Sequence, residues 1–143
     1  MLNLTARFDE INRAWTSRRW NDWQATCADT YLFEPFTGWR LDLGHTMAWN
    51  QAVFAAYPDY QESVVRLHTT NESAIAEVTA TGTHAEDFVL PGQPPLRATG
   101  RPFTVSYAKV LVFDKHGLVV HDRQYLDRLD LFTQLDVLGE NRA

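Results

Sequence analysis

The stretch RQYLDRLDLFTQL, residues 123–135, carries the change of structure on which the fold turns. Its first residues end a strand that spans 118–126. Beyond it Leu131, Phe132, Leu135 and Leu138 recur at three- and four-residue spacing, apart from the adjacent pair, as one face of a helix over 127–138. Asp127 stands at the junction. A carboxylate there accepts a hydrogen bond from the free backbone N–H groups of a first helical turn, so capping is the plain reading of it. Working back, DKHG (114–117) reads as a hairpin turn with Gly117 at a positive φ. The turn joins 118–126 to a long β run, 98–114, that holds Phe103, Val105, Tyr107 and Val110 to Phe113. Before that run, AIAEVTATGTH (74–84) alternates strictly. Ala76, Val78, Ala80, Gly82 and His84 share one face; Glu77, Thr79, Thr81 and Thr83 share the other.

The first half reads differently. Leu4, Phe8, Ile11 and Trp15 mark a helix over 4–18, with Thr5 as its candidate cap, and a short second helix follows at Trp20–Ala28, with Asn21 or Asp22 near its start. TYLFEPF (30–36) is an extended piece ended by Pro35. Residues 45–57 form a helix that Pro58 terminates, because proline has no N–H for the ladder. A β-prone run, 60–70, a turn at Asn71–Ser73 and a Pro- and Gly-rich loop at 90–95 complete the chain. Helices, then antiparallel strands, then a short helix define an α+β fold with helices on one face of a curved sheet.

The chain has 143 residues and a net charge of −5, so one domain over 1–143 is expected. The acidity argues against nucleic-acid partners and against an anionic membrane surface. A single cysteine, Cys27, excludes an intrachain disulfide and a multi-cysteine metal cage, and reads as a small buried side chain. No HxH or HExxH spacing points to a metal, and no glycine-rich phosphate loop or GxSxG elbow is present. No stretch is long and apolar enough to span a bilayer. Arg7, Asp9 and Glu10 interrupt the place where a secretory signal would be apolar, so a cytoplasmic location is expected. The excess lies in the aromatics: 8 Phe, 5 Tyr and 5 Trp. Phe8, Trp15 and Phe54 have helical spacing and read as core. Trp20, Trp23, Phe36, Trp39, Trp49, Phe88 and Phe103 gather near loops and helix ends, where they suit either the wall of a pocket or a dimer interface.

Four stretches in this order resemble the SnoaL-like polyketide cyclases, within the cone-shaped folds shared with nuclear transport factor 2 and ketosteroid isomerase. They are AAYPDYQ (55–61), GTH (82–84), TGRPFTV (99–105) and RQYLDRLDLFTQL (123–135). The family's final Gln-Leu-Gly reads Gln134, Leu135, Asp136 here, with a glycine only at Gly139. The resemblance implies an NTF2-like cone around an apolar pocket, a homodimer, no cofactor and no metal. It also implies that Asp127 is the general acid/base and that His84 lines the site, hydrogen-bonding a substrate carbonyl or enolate oxygen. Glu34 stands where related cyclases carry an amide; it is either a second pocket acid or turned outward. Arg123 and Tyr125 share strand parity with Asp127 and either can position it, although an arginine nearby would lower the Asp pKa. His121 shares that parity but lies near the turn and reads as exposed. Tyr31, Phe36, Trp39, Trp49, Phe88, Phe103 and Tyr107 are the expected substrate contacts. The leading expectation is ring closure of a bulky apolar small molecule by acid–base catalysis. Isomerisation, epoxide hydrolysis and non-catalytic ligand binding stand as alternatives, since fold alone does not decide function.

Overall fold

A computed structural model describes residues 2–138; Gly139, the glycine displaced from the family pattern, lies outside the described residues. Helix α1 (Leu4–Thr16) buries Leu4, Phe8, Ile11 and Ala14. Asn3, not Thr5, caps it: the Asn3 side chain accepts from the Ala6 N–H at 3.0 Å. Helix α2 (Trp20–Gln24) is shorter than expected and has no side-chain cap. Strand β1 (Cys27–Phe36) absorbs the extended piece, with Tyr31, Phe33 and Pro35 turned inward. It folds back through Gly38, at φ 83°, into the three-residue strand β2 (Trp39–Leu41). So short a strand shows no periodicity of its own, which is why the sequence reading passed over it. Helix α3 (Leu43–Ala56) is capped by Asp42, whose carboxylate accepts from the His45 N–H.

Strands β3 (Gln61–Thr69), β4 (Ser73–Thr83), β5 (Pro102–Phe113) and β6 (Val119–Leu126) follow, and α4 (Arg128–Leu135) closes the described chain. The six strands form one sheet in the order β2-β1-β6-β5-β4-β3. Among the described strands only β1 and β6 pair in parallel. The β4 alternation appears as expected: Ala74, Ala76, Val78 and Ala80 are buried against the helices, and Glu77 faces water. Gly117 takes φ 77° in the β5–β6 turn. The core lies between the concave sheet face and α1, α2 and α3, around Phe8, Ile11, Trp23, Tyr31 and Phe33. Cys27 is buried there, and burial pushes its thiol up to about 12, which leaves it inert. Among the described residues no helix is long and apolar enough to cross a membrane.

Candidate active site

Two neighbouring spaces lie inside the concave face. The outer one is a cavity of about 180 Å³ walled by rings. Trp49, on α3, is its hub, with ring centres of Phe88, Trp39, Phe36 and Phe33 at 5.4, 5.7, 5.9 and 5.9 Å. Such edge-to-face contacts hold the rings in fixed orientation. Phe88 is set in place by paired backbone bonds between it and Leu96, which clasp the Pro-rich loop. Leu131 and Phe132 of α4 complete the wall.

The inner space is smaller and polar. It holds about 30 Å³ and is lined by Asn12, Tyr31, Thr46, Asn50, Lys109, Asp122 and Gln124, among others. Trp15, Trp49 and Gln124 line both spaces, so the chamber lies at the inner end of the cavity. Asp122 dominates it. One carboxylate oxygen accepts from the Tyr31 hydroxyl at 3.0 Å; the other is buried with no hydrogen-bond partner. Burial pushes the Asp122 carboxyl up to about 6, against the opposing pull of the Lys109 charge and the Tyr31 hydroxyl. Asn50 accepts from the Trp15 indole N–H at 3.0 Å, while its own Nδ2 and the Oδ1 of Asn12 are also buried without partners.

Lys109 joins this chamber to a second buried acid. Its ammonium lies 3.3 Å from Glu62, which also accepts from the hydroxyls of Tyr60 and Tyr107. Burial would raise the Glu62 pKa, but Lys109 and the two hydroxyls outweigh it and hold Glu62 below the ordinary carboxylate range. The Lys109 ammonium also sits 5.2 Å from the centre of the Trp15 ring.

The residues expected from sequence fall in several places. Phe36, Trp39, Trp49, Phe88, Phe103 and Tyr107 all line the cavity. Tyr31 lies deeper and holds Asp122. Trp15 lines both spaces and is not plain core. Asp127 is exposed and caps α4, its carboxylate accepting from the Asp130 N–H at 3.0 Å; it lines neither space. The cap geometry turns the side chain back onto its own helix. Arg123 and Tyr125 do not join Asp127 in a site. The inward face of β6 carries Asp122, Gln124 and Leu126, and Tyr125 on the other face is 54% exposed. The strand ends at Leu126, so its alternation does not run on through the cap. Glu34 is turned outward, bonded to His121 at 2.9 Å and Arg40 at 3.2 Å, and the His121 bond leads in lowering its pKa. His121 is thus partly buried, not exposed.

His84 is fully buried, with Nδ1 at 3.4 Å from the Thr99 hydroxyl and Nε2 without a partner. Burial lowers its pKa, which keeps the imidazole neutral near pH 7. The room that the small β4 residues leave does not admit it to the cavity. Phe103 fills that room: a Cβ on Gly82 would meet its ring atoms at 2.8 and 2.9 Å. His84 therefore packs behind Tyr57, ring centres 5.4 Å apart, and lines neither space.

The sequence reading missed Asp122, Asn50, Lys109 and Glu62. HDRQYL (121–126) is polar on both faces, so its hydrophobic pattern did not declare which side turns inward. Leu126, an apolar residue just before the cap, was the available signal: even parity places Gln124 and Asp122 beside it.

The sequence model of the SnoaL-like polyketide cyclases matches residues 6–135, and the chain belongs to that family. No curated protein sequence matches it. Solved structures share the fold at low identity. A provisionally assigned SnoaL-like polyketide cyclase from Jannaschia sp. CCS1 is similar over 94% of each chain, at TM-score 0.79 and 15% identity. IdmH from Streptomyces antibioticus, a provisionally assigned polyketide cyclase, is similar over 94% of this chain and 99% of its own, at TM-score 0.74 and 21% identity. An LEH-like epoxide hydrolase from M. tuberculosis matches over 91% of this chain and 86% of its own, at TM-score 0.66 and 14% identity. The architecture is the NTF2-like cone shared with ketosteroid isomerase-like proteins.

Proposed function

We propose that this protein is an acid–base enzyme that closes a ring in a bulky, mostly apolar small molecule, with Asp122 as the proton-handling carboxyl. One observation carries the reading: a half-partnered carboxyl with a raised pKa sits at the inner end of an aromatic cavity. The rings take the apolar body of the substrate by stacking and burial. A carbonyl end directed inward meets Gln124 and Asp122. The Asp122 carboxylate takes a proton from the carbon next to that carbonyl. The resulting enolate attacks a second carbonyl of the same molecule, one C–C bond forms, and the protonated Asp122 returns its proton to the new alkoxide. A pKa of about 6 suits both halves of that exchange near neutral pH. Tyr31 keeps the carboxyl in register through its 3.0 Å bond.

The test sets Asp122→Asn beside Asp127→Asn, assayed on aromatic and polyketide-like candidate substrates. Asp122→Asn is expected to lower turnover roughly a hundredfold or more, the usual loss for a general acid or base. Asp127→Asn should leave turnover within a few-fold, because Asn also caps helices. The reverse outcome assigns the role to Asp127, as the family resemblance implies, and overturns this reading. A second reading, epoxide hydrolysis, is favoured by the chamber itself: about 30 Å³ holds two or three waters, each needing roughly 10–15 Å³. Reaction in H₂¹⁸O separates the two, since hydrolysis places the label in a non-exchanging diol hydroxyl, whereas ring closure adds none beyond the exchange that carbonyl oxygens undergo without enzyme.

A further inference from the structure

On the back of the cone, between α1 and β3, lies a cleft of about 260 Å³ lined by Asn12, Thr16, Tyr60, Gln61 and Glu62, among others. It shares only Tyr60 with the wall of the aromatic cavity, and beside Phe54 and Tyr60 its lining is polar. Two features tie it to the Asp122 chamber. Asn12 lines both the cleft and the chamber, and its Oδ1 is buried without a partner. Glu62 lines the cleft, Lys109 lines the chamber, and the two are bonded at 3.3 Å, so one ion pair spans the wall between them. The chamber also gathers unpartnered atoms of both kinds: the acceptors Asn12 Oδ1 and Asp122 Oδ1 and the donor Asn50 Nδ2. Buried polar atoms left without protein partners are the ordinary seat of internal water. Trp15, Trp49 and Gln124 form the wall that the chamber shares with the aromatic cavity, so a ligand in the cavity covers the chamber's front side.

We propose that the Glu62 cleft is a second, hydrophilic entrance to the chamber, through which water and protons reach Asp122 while the aromatic cavity is occupied. The proposal rests on Asp122 being the working carboxyl. Water held on Asn12, Asn50 and Asp122 passes a proton to the carboxylate and is replaced from the cleft past Asn12. The carboxyl thereby stays in proton equilibrium with solvent with a substrate in place.

Water ¹⁷O and ²H magnetic relaxation dispersion on the intact protein, with the aromatic cavity filled by the apolar probe naphthalene, measures the number of internal waters and their residence times. Wild type is expected to show at least one long-lived internal water. Thr16→Trp, at an exposed position on the cleft rim, should lengthen its residence time about tenfold, and Asn12→Leu should lengthen it further or expel the water. Leu131→Ala, which widens the aromatic cavity and does not line the chamber, should leave the exchange rate within about twofold. An absence of internal water in wild type overturns the proposal. So does an unchanged residence time in Thr16→Trp, or acceleration by Leu131→Ala, which would route exchange through the aromatic mouth. These readouts are independent of the turnover of Asp122→Asn, so the entrance and the catalytic role stand or fall separately.

Discussion

Asp136 ends the last helix in a way its type disfavours. It takes the left-handed conformation, φ 58° and ψ 39°, at the C-terminus of α4. The N–H groups of Asp136 and Val137 bond back to Thr133 and Phe132, each at 3.1 Å, so the backbone wrap of a glycine-ended helix forms without the glycine. The family pattern has Gly at this place, and the conformation explains why: a Cβ there costs about 1 kcal/mol or more. Asp136 also lies 3.8 Å from Arg101, an exposed contact of small worth. Comparing Asp136→Gly with Asp136→Ala removes the carboxylate from both and isolates the backbone. The glycine variant is expected to be more stable by about 1 kcal/mol, read as a higher urea midpoint. At this scale Asp127 was legible as a cap because the chemistry is local: one carboxylate and the N–H three residues on. Asp122 was not, because its character comes from burial by the folded chain, opposed by Tyr31 and Lys109, which lie 91 and 13 positions away in the chain.

Among the elements, α4 shows what a hydrophobic period does and does not reveal. Its apolar spacing placed the helix and three of its four inward residues: Leu131 and Phe132 close the cavity and Leu135 is fully buried, but the helix ends at Leu135, short of the expected 138, and Leu138 is exposed. The same pattern is silent on Gln134, which does the docking. Its amide accepts from the Thr104 N–H at 2.8 Å and donates to the Thr104 carbonyl at 3.0 Å. Thr104 lies on β5 beyond the point where β6 stops, since the last β5–β6 pair is Tyr107 with Leu126. The side chain thus completes a strand edge that has run out of partner. Gln134→Ala is expected to cost about 1–2 kcal/mol and to raise amide exchange at Thr104 and along α4, while Gln134→Glu should recover only the acceptor half. Long periodic elements such as α1 and β4 were readable for the same reason α4 was, whereas α3 is apolar on all sides and was read from its composition and from Pro58. Strand β2 was not, because its identity depends on pairing with β1.

Across the whole molecule, the aromatic excess and the few buried charges divide the interior into two solvents. The rings of α3, β5, α4 and the Phe88 clasp make an apolar front chamber; Tyr31, Asn50, Lys109 and Asp122 make a polar inner one behind it. Sequence composition announced the first, because aromatics in excess of a core's needs are visible in a count. It was silent on the second, whose members sit on α1, α3, β1, β5 and β6 and meet only when the sheet curls. The central claim is that this arrangement seats a carboxyl whose acidity the fold has weakened. The carboxyl ¹³C resonance of Asp122, assigned by its disappearance in Asp122→Asn and followed from pH 3 to 9, measures that directly. The structure predicts a midpoint at about pH 6, displaced upward by burial. A midpoint near the ordinary value of 3.8 would contradict it, and with it the assignment of the acid–base role to Asp122.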